Sequence, residues 1–462
     1  MSVVGFAGYW QNARMSETTS SKHYVAVIGG ATAGAEVASR LADRGIHVAV
    51  FEQNARPFGK IEDGLPRWHE GLRQKEYEAI RKKLGKPGVE FIPQTEIGRD
   101  VDWKELVESW GFSCVVLANG AWKDRPLPLE NADQFVGRGL VYQNPYVIAF
   151  NHAEDPSYNG ERFEILNGSI VVGGGLASID VAKIVTLSNT QCALAARGVE
   201  ITTTELEVKG IPKILAAHDL SWEELGIEDC TIYYRRAEED MPLVAIPEDA
   251  PPERVEKIKK SRRTMLDKAM QKFHIRVEPL SAPDELLIES DHVVGMRFRR
   301  TRIEGGRVQV TDETFERKGP VVISAIGSIP QAIEGIAMNG ELFDFSDWTY
   351  GRLEDFPTVF SVGNVVTGKG NIVASRKHAS KVSEEAIEAY LGVGDGAEAP
   401  QAEDLTEAAS EAAEKIGDHV DRQVPLDEAT RINLQAKIKA RQVAVGYTGQ
   451  LEGWLDQAGP PC

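Results

Sequence analysis

Two glycine-rich stretches contain residues whose types and spacing can bind a nucleotide. In the first, the apolar run 24–28 predicts a buried strand, the glycines Gly29, Gly30 and Gly34 follow, and apolar residues then recur at helical spacing. A turn without side chains lets backbone N–H groups approach a pyrophosphate, and a helix N-terminus favours its negative charge. A second apolar run, 47–51, ends at Glu52, whose carboxylate can hydrogen-bond a ribose hydroxyl. The order of elements therefore predicts a dinucleotide-binding βαβ unit.

One position departs from the usual Gly-x-Gly-x-x-Gly spacing. Ala31 stands where the middle glycine belongs, and its methyl group is expected to push the phosphates slightly outward. The alternative is a glycine-rich turn in an ordinary α/β core. The strand, the helix and Glu52 together favour nucleotide binding.

A second stretch of the same kind begins 144 positions after Gly29. The apolar run 170–172 is followed by Gly173, Gly174 and Gly175, then by Ser178 at the position that packs helix on strand. The strand predicted at 231–234 ends in Arg235 and Arg236 rather than in an acid. Two guanidinium groups can bind a 2′-phosphate through hydrogen bonds worth roughly 1.5–3 kcal/mol each, so NADP(H) is favoured over NAD(H). The alternative for this pair is an exposed strand end.

Composition limits the class of protein. The 462 residues carry a net charge of −18, which disfavours nucleic acid as a partner, and no apolar run approaches the length of a membrane span. The four cysteines are too scattered for a zinc site, a redox pair or an iron–sulfur cluster, so we predict no metal site and reduced thiols in a cytoplasmic protein.

The elements that position these residues follow from periodicity. Helices are predicted at 70–84, 204–222, 251–273, 372–391 and 426–445, and strands at 89–93, 113–119, 275–279, 284–289, 292–299, 307–311, 321–326 and 358–362. Gly305 and Gly306 predict a hairpin turn, and the segment 126–151 shows no strong period. The fold class predicted is α/β, with two Rossmann-like domains, the second inserted in the first, and a helical C-terminal extension.

The predicted domain limits follow from this order. A flexible N-terminal tail takes 1–21, the first dinucleotide-binding domain 22–150 and 326–393, the second, NADP-binding domain 151–325, and an acidic extension 394–462. The helices near Arg73 and Lys260 are basic and are candidate docking surfaces, although a solvated helix face is the default interpretation of such charges.

From residue 22 to 391 the chain resembles the ferredoxin/adrenodoxin reductase family and the flavin-binding small subunit of glutamate synthase, without the N-terminal iron–sulfur domain of the latter. The matching segments are both glycine turns with Glu52, PFGKIEDGLPRWH (57–69), GGGLASID (173–180), YYRRAEEDMP (233–242), SAIGSIP (324–330) and FSVGNVVTGKGNI (360–372). They occur in the same order along the chain.

The resemblance implies two cofactors, FAD and NADP(H), and the residues around each. FAD is expected at Gly29, Gly30, Ala33, Gly34, Glu52, Gly59, Gly363, Asn364, Gly370, Asn371 and Ile372. NADPH is expected at Gly173, Gly174, Gly175, Ser178, Arg235 and Arg236. His69 matches a histidine near the flavin and is the one catalytic candidate, with a purely structural role as its alternative.

The activity implied is hydride transfer from NADPH to FAD, followed by electron transfer to a ferredoxin, another iron–sulfur carrier or a partner subunit. Two alternatives stay open: direct reduction of a small molecule or dioxygen, and a subunit that has kept the fold without catalysis. The C-terminal extension is a possible site of oligomerisation.

Overall fold

The computed structural model describes residues 22–156, 158–247, 250–348, 351–367, 388, 391–393 and 403–461. The predicted N-terminal tail (1–21), most of the predicted helix 372–391, and Gly370, Asn371 and Ile372 lie outside the described residues.

The described strands, in chain order, are β1 (Tyr24–Ile28), β2 (His47–Phe51), β3 (Val89–Ile92), β4 (Cys114–Leu117), β5 (Lys123–Asp124), β6 (Leu140–Tyr142), β7 (Ile170–Gly173), β8 (Cys230–Tyr233), β9 (Ile275–Glu278), β10 (Ser281–Glu289), β11 (His292–Glu304), β12 (Arg307–Lys318), β13 (Val322–Ala325), β14 (Ser328–Ile329), β15 (Met338–Asn339), β16 (Leu342–Phe343), β17 (Phe345–Asp347), β18 (Arg352–Leu353) and β19 (Val359–Ser361).

The described helices are α1 (Thr32–Asp43), α2 (Lys60–Asp63), α3 (Glu70–Leu84), α4 (Trp103–Ser109), α5 (Gln143–Asn151), α6 (Leu176–Ala195), α7 (Thr203–Lys209), α8 (Ile211–Ala217), α9 (Trp222–Leu225), α10 (Pro252–Phe273), α11 (Asn364–Thr367), α12 (Glu403–Asp421), α13 (Glu428–Ala444) and α14 (Leu451–Gln457). Among the described residues, none of these helices has both the length and the apolar character needed to cross a membrane.

The first sheet is parallel and has the strand order β19-β4-β1-β2-β3. All five residues of β1 are buried, because α1 and α3 pack on one face of the sheet and α4 and α13 on the other. The chain runs outward from β1 to β3 and then returns to β4 on the opposite side of β1. This reversal opens a crevice at the carboxyl ends of β1 and β4, where ligands bind in sheets of this type.

The second sheet repeats the arrangement, with the parallel order β6-β13-β7-β8-β9. The crossings between the two sheets are the short strands β5 and β14, which pair with each other. The predicted α/β fold with two Rossmann-like units is confirmed. Since β6 belongs to the second sheet, that sheet begins before residue 151, and we propose that the domain limit lies near β5.

Several elements differ from the sequence prediction. The helix predicted at 204–222 is two helices, α7 and α8, because Gly210 adopts φ 85° between them, and α9 begins only at Trp222 after a loop. The segment 126–151, in which the sequence shows no strong period, contains β6 and α5. Strands β10, β11 and β12 extend beyond their predicted limits. The charged residues of the unpredicted part of β12 still pair with β11, where Arg297 lies opposite Glu316.

The C-terminal extension folds back onto the first sheet. Helix α12 packs on α1 through its buried alanine and isoleucine side chains, and Arg44 reaches Glu414, Asp418 and Asp421 at 2.6–2.9 Å. Leu434 and Ile438 of α13 are buried under the face of β1 opposite to α1. The extension therefore contributes to the core of this part of the chain.

Candidate functional site

The first glycine turn is closed so tightly that two of its glycines tolerate no side chain. A Cβ on Gly29, which has φ 103°, would lie 2.6 Å from the carbonyl oxygen of Ala118, and one on Gly34 would lie 1.9 Å from the carbonyl oxygen of Gly29. The N-terminus of α1 therefore lies directly against the end of β1. This close approach is the one that the spacing of the glycines predicts.

Glu52 bridges the turn to the following loop. Its Oε2 accepts the backbone N–H of Gly30 at 2.9 Å, and its Oε1 accepts the N–H of Asn54 at 2.9 Å. The side chain is 5% exposed, and burial raises the pKa of Glu52 to about 7, although both N–H groups act in the opposite direction. The carboxylate is therefore held at the end of β2 beside the turn.

An open cleft lies at this end of the first sheet, with about 680 Å³ of space unfilled by protein atoms. Its lining comes from the turn, from the loop that contains Glu52, and from Asn119 at the end of the strand predicted at 113–119. The sequence did not single out the other lining residues: Thr95, Glu96, Ile97, Trp122, Gln331, Ala332 and Ile333. The last three follow the return crossing, β14. Their apolar and amide side chains have no periodic pattern that could have indicated them.

Two further predicted residues meet at the turn. Gly59 has φ 51°, and a Cβ on it would lie 2.9 Å from the methyl carbon of Ala31. A Cβ on Gly363 would lie 3.0 Å from that of Ala33. The loop after β2 and the turn after β19 therefore both lie against the start of α1. Asn364 follows Gly363 as the first residue of α11.

The second turn has the same packing. A Cβ on Gly173 would lie 2.4 Å from the carbonyl oxygen of Ala325, whereas Gly175 faces open space. Ser178 is fully buried, and its hydroxyl donates to the carbonyl oxygen of Gly175 at 2.6 Å, so it shapes the turn. The sequence did not single out Tyr234, whose ring lies so close that a Cβ on Gly174 would come within 2.1 Å of it.

The two arginines that follow β8 differ in their surroundings. Arg236 contacts Asp240 at 3.3 Å and donates to the carbonyl oxygen of Gly306 at 3.2 Å, at the tip of the β11–β12 hairpin. Arg235 is exposed, and no described residue forms a hydrogen bond or ion pair with its guanidinium group. Its backbone is held by the hydroxyl of Thr301, which donates to the Arg235 carbonyl oxygen at 2.9 Å.

His69 directly precedes α3 and is buried between this helix, which packs on the first sheet, and α6, which follows the second glycine turn. Its Nε2 is 3.2 Å from the indole nitrogen of Trp68 and 3.9 Å from Oδ1 of Asp180, which belongs to α6. The structure therefore brings a residue of the 57–69 loop against the helix that follows the second glycine turn. Asp180 is part of the GGGLASID segment, but its spacing alone did not indicate a contact with His69.

A buried polar cluster lies where the chain crosses between the sheets. The Lys60 ammonium group donates to Oδ1 of Asn144 at 3.1 Å and to the hydroxyl of Ser328 at 3.0 Å. Burial lowers the pKa of Lys60 to about 8, and burial raises the pKa of Asp124 to about 6. Lys60 begins α2, Asn144 lies in α5, Asp124 in β5 and Ser328 in β14, so the cluster joins four parts of the chain.

The residues present fit an ADP-containing cofactor at the first turn. The glycines leave backbone N–H groups accessible at a helix N-terminus, the cleft is open, and Glu52 offers carboxylate oxygens at its edge. The Oδ1 atom of Asn119, which lines the cleft, is buried and has no hydrogen-bond partner among the described residues. A bound ligand would supply the missing donor.

Comparison with known proteins finds similarity to oxidoreductases. Residues 23–209 match the model of the pyridine nucleotide-disulphide oxidoreductase family. The "Glutamate synthase [NADPH] small chain" of Bacillus subtilis is 32% identical over 179 residues, which are 38% of this chain and 35% of that protein. "Putative oxidoreductase AegA" of Escherichia coli is 23% identical over 403 residues, 82% of this chain and 51% of that protein. The chain therefore spans about a third to a half of these relatives.

Among solved structures, "Mycobacterium tuberculosis FprA in complex with NADPH" has a TM-score of 0.63, is 18% identical, and covers 91% of this chain and 90% of its own. This likeness confirms the two-unit fold. The matched family model is one of pyridine nucleotide oxidoreductases, in agreement with the oxidoreductase class that the sequence predicts. Residues 23–209 therefore resemble the pyridine nucleotide-disulphide oxidoreductase family, and the resemblance to glutamate synthase small chains that the sequence predicts is confirmed.

Proposed function

We propose that the chain is an FAD-dependent NADPH oxidoreductase that passes electrons from NADPH to an iron–sulfur protein or to a partner subunit. The observation that carries the proposal is the pair of glycine turns, each at the carboxyl end of its own parallel sheet. The first turn is followed by a carboxylate and the second by a free guanidinium group. Two different nucleotides are thereby distinguished within one chain.

At the first turn, the backbone N–H groups at the start of α1 hold the pyrophosphate of FAD, and Glu52 orients the adenosine ribose. Gly363 packs closely on Ala33, so the turn after β19 lies beside the start of this helix. When bound, FAD supplies the acceptor for a hydride and the capacity to release electrons singly. The protein contributes orientation and electrostatics, so no nucleophilic side chain is required.

At the second turn, Gly175 leaves the backbone open to the pyrophosphate of NADPH, and Arg235 pairs with the 2′-phosphate. Arg236 is already engaged by Asp240 and by the hairpin, so it supports the loop and contributes less to the phosphate contact. His69, which is held by Trp68 and faces Asp180, is the proposed proton-handling group.

The electron acceptor is proposed to dock on an exposed basic surface. Lys257 and Lys260 of α10 are exposed and could attract an acidic carrier. At the other candidate surface, Arg73 itself is 3% exposed and donates to the hydroxyl of Tyr77 and to the carbonyl oxygen of Glu62, so a carrier would meet the exposed Lys75 and Lys82 of α3 instead.

An anaerobic visible spectrum of the purified chain, reconstituted with FAD, tests the proposal. We expect NADPH to bleach the flavin band at a concentration much lower than NADH requires, and an iron–sulfur carrier to restore the band. A chain that binds no FAD would contradict the enzyme assignment. Reoxidation by dioxygen or a small molecule, with no response to the carrier, would contradict the proposed acceptor.

A further inference from the structure

Two loops that line the cleft are held from outside by the C-terminal extension. The first follows β2 and contributes Glu52, Gln53 and Asn54 to the lining, and the second follows β3 and contributes Thr95, Glu96 and Ile97. The loops are tied together, since the N–H of Thr95 donates to the carbonyl oxygen of Glu52 at 2.8 Å and that of Gln94 donates to Asn54 at 3.1 Å. They therefore move as one unit.

Arg441 of α13 holds the second loop. Its Nε donates to the hydroxyl of Thr95 at 2.9 Å, and its terminal nitrogen donates to the carbonyl oxygen of Gln94 at 3.0 Å. Gln94 has φ 49°, a left-handed conformation that is uncommon for residues other than glycine and persists where the surroundings enforce it. The neighbouring Gln442 is buried and donates to the carbonyl oxygen of Phe91 at 3.0 Å, at the end of β3.

Trp454 of α14 holds the first loop. Its indole N–H donates to the carbonyl oxygen of Ala55 at 2.7 Å, and Arg56 donates in return to the carbonyl oxygen of Ala458 at 2.8 Å. The ring of Trp454 packs edge to face with Tyr447, at 5.7 Å between centroids, and Tyr447 packs in the same way on Phe91. The ring of Tyr447 thus contacts an aromatic side chain beside each of the two groups of hydrogen bonds.

We propose that the C-terminal segment 428–459 is a strap that positions the Glu52 loop for the adenosine end of FAD, with Arg441 and Trp454 as its positioning residues. Neither side chain lines the cleft. Arg441 holds Gln94 and Thr95, and Trp454 holds Ala55, from the side opposite to the cleft. The backbone N–H groups of Gln94 and Thr95 in turn donate to Asn54 and Glu52. Because an ordered loop loses less conformational entropy when a ligand binds, loss of the strap weakens FAD binding without removing any direct contact.

This inference rests on the proposed function, since it takes FAD as the ligand of the cleft. The test uses the full chain as apoprotein and measures the dissociation constants of FAD and of NADP⁺ in Arg441→Ala, Trp454→Phe and the double variant. Val443→Ala is the matched control, because Val443 lies on the same helix and is 64% exposed. Arg441→Lys is the rescue variant, since a lysine retains a cationic donor for Gln94 or Thr95.

We expect the FAD dissociation constant to rise about tenfold in Arg441→Ala, which loses two hydrogen bonds from a charged group, and severalfold in Trp454→Phe. Arg441→Lys should recover most of the loss, and NADP⁺ binding should stay within twofold of the control in every variant. Equal losses of FAD and NADP⁺ affinity would indicate general unfolding and overturn the proposal, as would FAD binding that matches the Val443→Ala control. If the unmodified chain itself binds no FAD, the proposed function fails and this inference fails with it.

Discussion

At the scale of single residues, the two nucleotide sites differ in the charge that each presents. The buried Glu52 carboxylate faces the first turn, and the exposed Arg235 guanidinium group follows the strand next to the second. A carboxylate can accept hydrogen bonds from ribose hydroxyls but repels a 2′-phosphate, which a guanidinium group binds. In the proposed function, one side chain at each site therefore distinguishes the position of FAD from that of NADPH.

Glu52 should make the stability of the apoprotein depend on pH. Burial raises its pKa to about 7 from an ordinary value of 4.5, so the native state holds the proton more tightly than the unfolded state does. The free energy of unfolding therefore falls as the pH rises from about 4.5 to about 7, by at most about 3 kcal/mol. Glu52→Gln should remove this dependence, so its stability relative to the native chain should be higher at pH 8 than at pH 5.

Urea unfolding of the apoprotein at both pH values measures the effect, with the exposed Glu78→Gln as the control. Profiles for Glu52→Gln and the native chain that stay parallel across this window would show that the carboxyl group is ionised in the folded state.

Arg235 and Arg236 should contribute unequally to the choice of nucleotide. Arg235→Ala loses charge-assisted hydrogen bonds worth roughly 1.5–3 kcal/mol, so the NADPH dissociation constant should rise about 10- to 100-fold while that of NADH changes little. Arg236→Ala should have a smaller effect, because Asp240 and the Gly306 carbonyl group already engage this side chain. Titration of the flavin band with each nucleotide measures both constants. A larger loss in Arg236→Ala would reverse our assignment.

At the scale of elements, each site depends on how closely a helix approaches a strand. Gly34 allows α1 to approach within contact of the Gly29 carbonyl group, and Gly173 does the same for the β7 end and β13. Such distances cannot be relaxed by a rotation of side chains, because the neighbouring atoms belong to the backbone.

Gly34→Ala should therefore disrupt the first site. Its Cβ would lie 1.9 Å from the Gly29 carbonyl oxygen, so the helix must move, at a cost of about 1–3 kcal/mol or more. FAD binding should be lost or strongly weakened. Gly71→Ala is the matched control: Gly71 lies in α3, a Cβ added to it would meet no described atom within 4 Å, and alanine should stabilise that helix by roughly 0.5–1 kcal/mol. Calorimetry with and without FAD measures the stability and the FAD affinity of both variants. Equal FAD affinity in Gly34→Ala and Gly71→Ala would contradict the close packing of α1 on the turn.

The elements that the sequence predicted are those with local signals. The limits of α3 and the hairpin at Gly305 and Gly306 follow from periodicity and turn chemistry, and the residues of both glycine turns follow from their spacing. Helix α5 and the cleft residues Gln331 to Ile333 were not predicted, because their places depend on contacts between segments far apart in the chain. The same holds for Trp454, whose role depends on a bond to Ala55.

At the scale of the whole molecule, two buried lysines join the two sheets' parts of the chain. Lys60, the first residue of α2, donates to Asn144 of α5 and to Ser328 of the crossing strand β14. Lys183 of α6 is fully buried, donates to Oε1 of Glu207 at 2.8 Å and to the Leu391 carbonyl oxygen at 3.3 Å, and lies over the rings of Trp68 and Phe273. Trp68 comes from the predicted FAD-binding part and Glu207 from the predicted NADP-binding part. The ammonium group therefore fixes how the two parts meet.

Lys183→Met should lower the free energy of unfolding by about 3–5 kcal/mol, because it leaves the Glu207 carboxylate buried beside apolar groups without its cation. The double variant Lys183→Met/Glu207→Leu should recover much of that loss, since replacing a whole buried ion pair by apolar side chains is often nearly neutral. Denaturant unfolding measures both. If the double variant is as stable as the native chain yet transfers hydride more slowly, the ion pair serves to place the two nucleotides relative to each other. If the double variant is no more stable than Lys183→Met, the loss of stability comes instead from the contacts of Lys183 with Trp68 and Leu391.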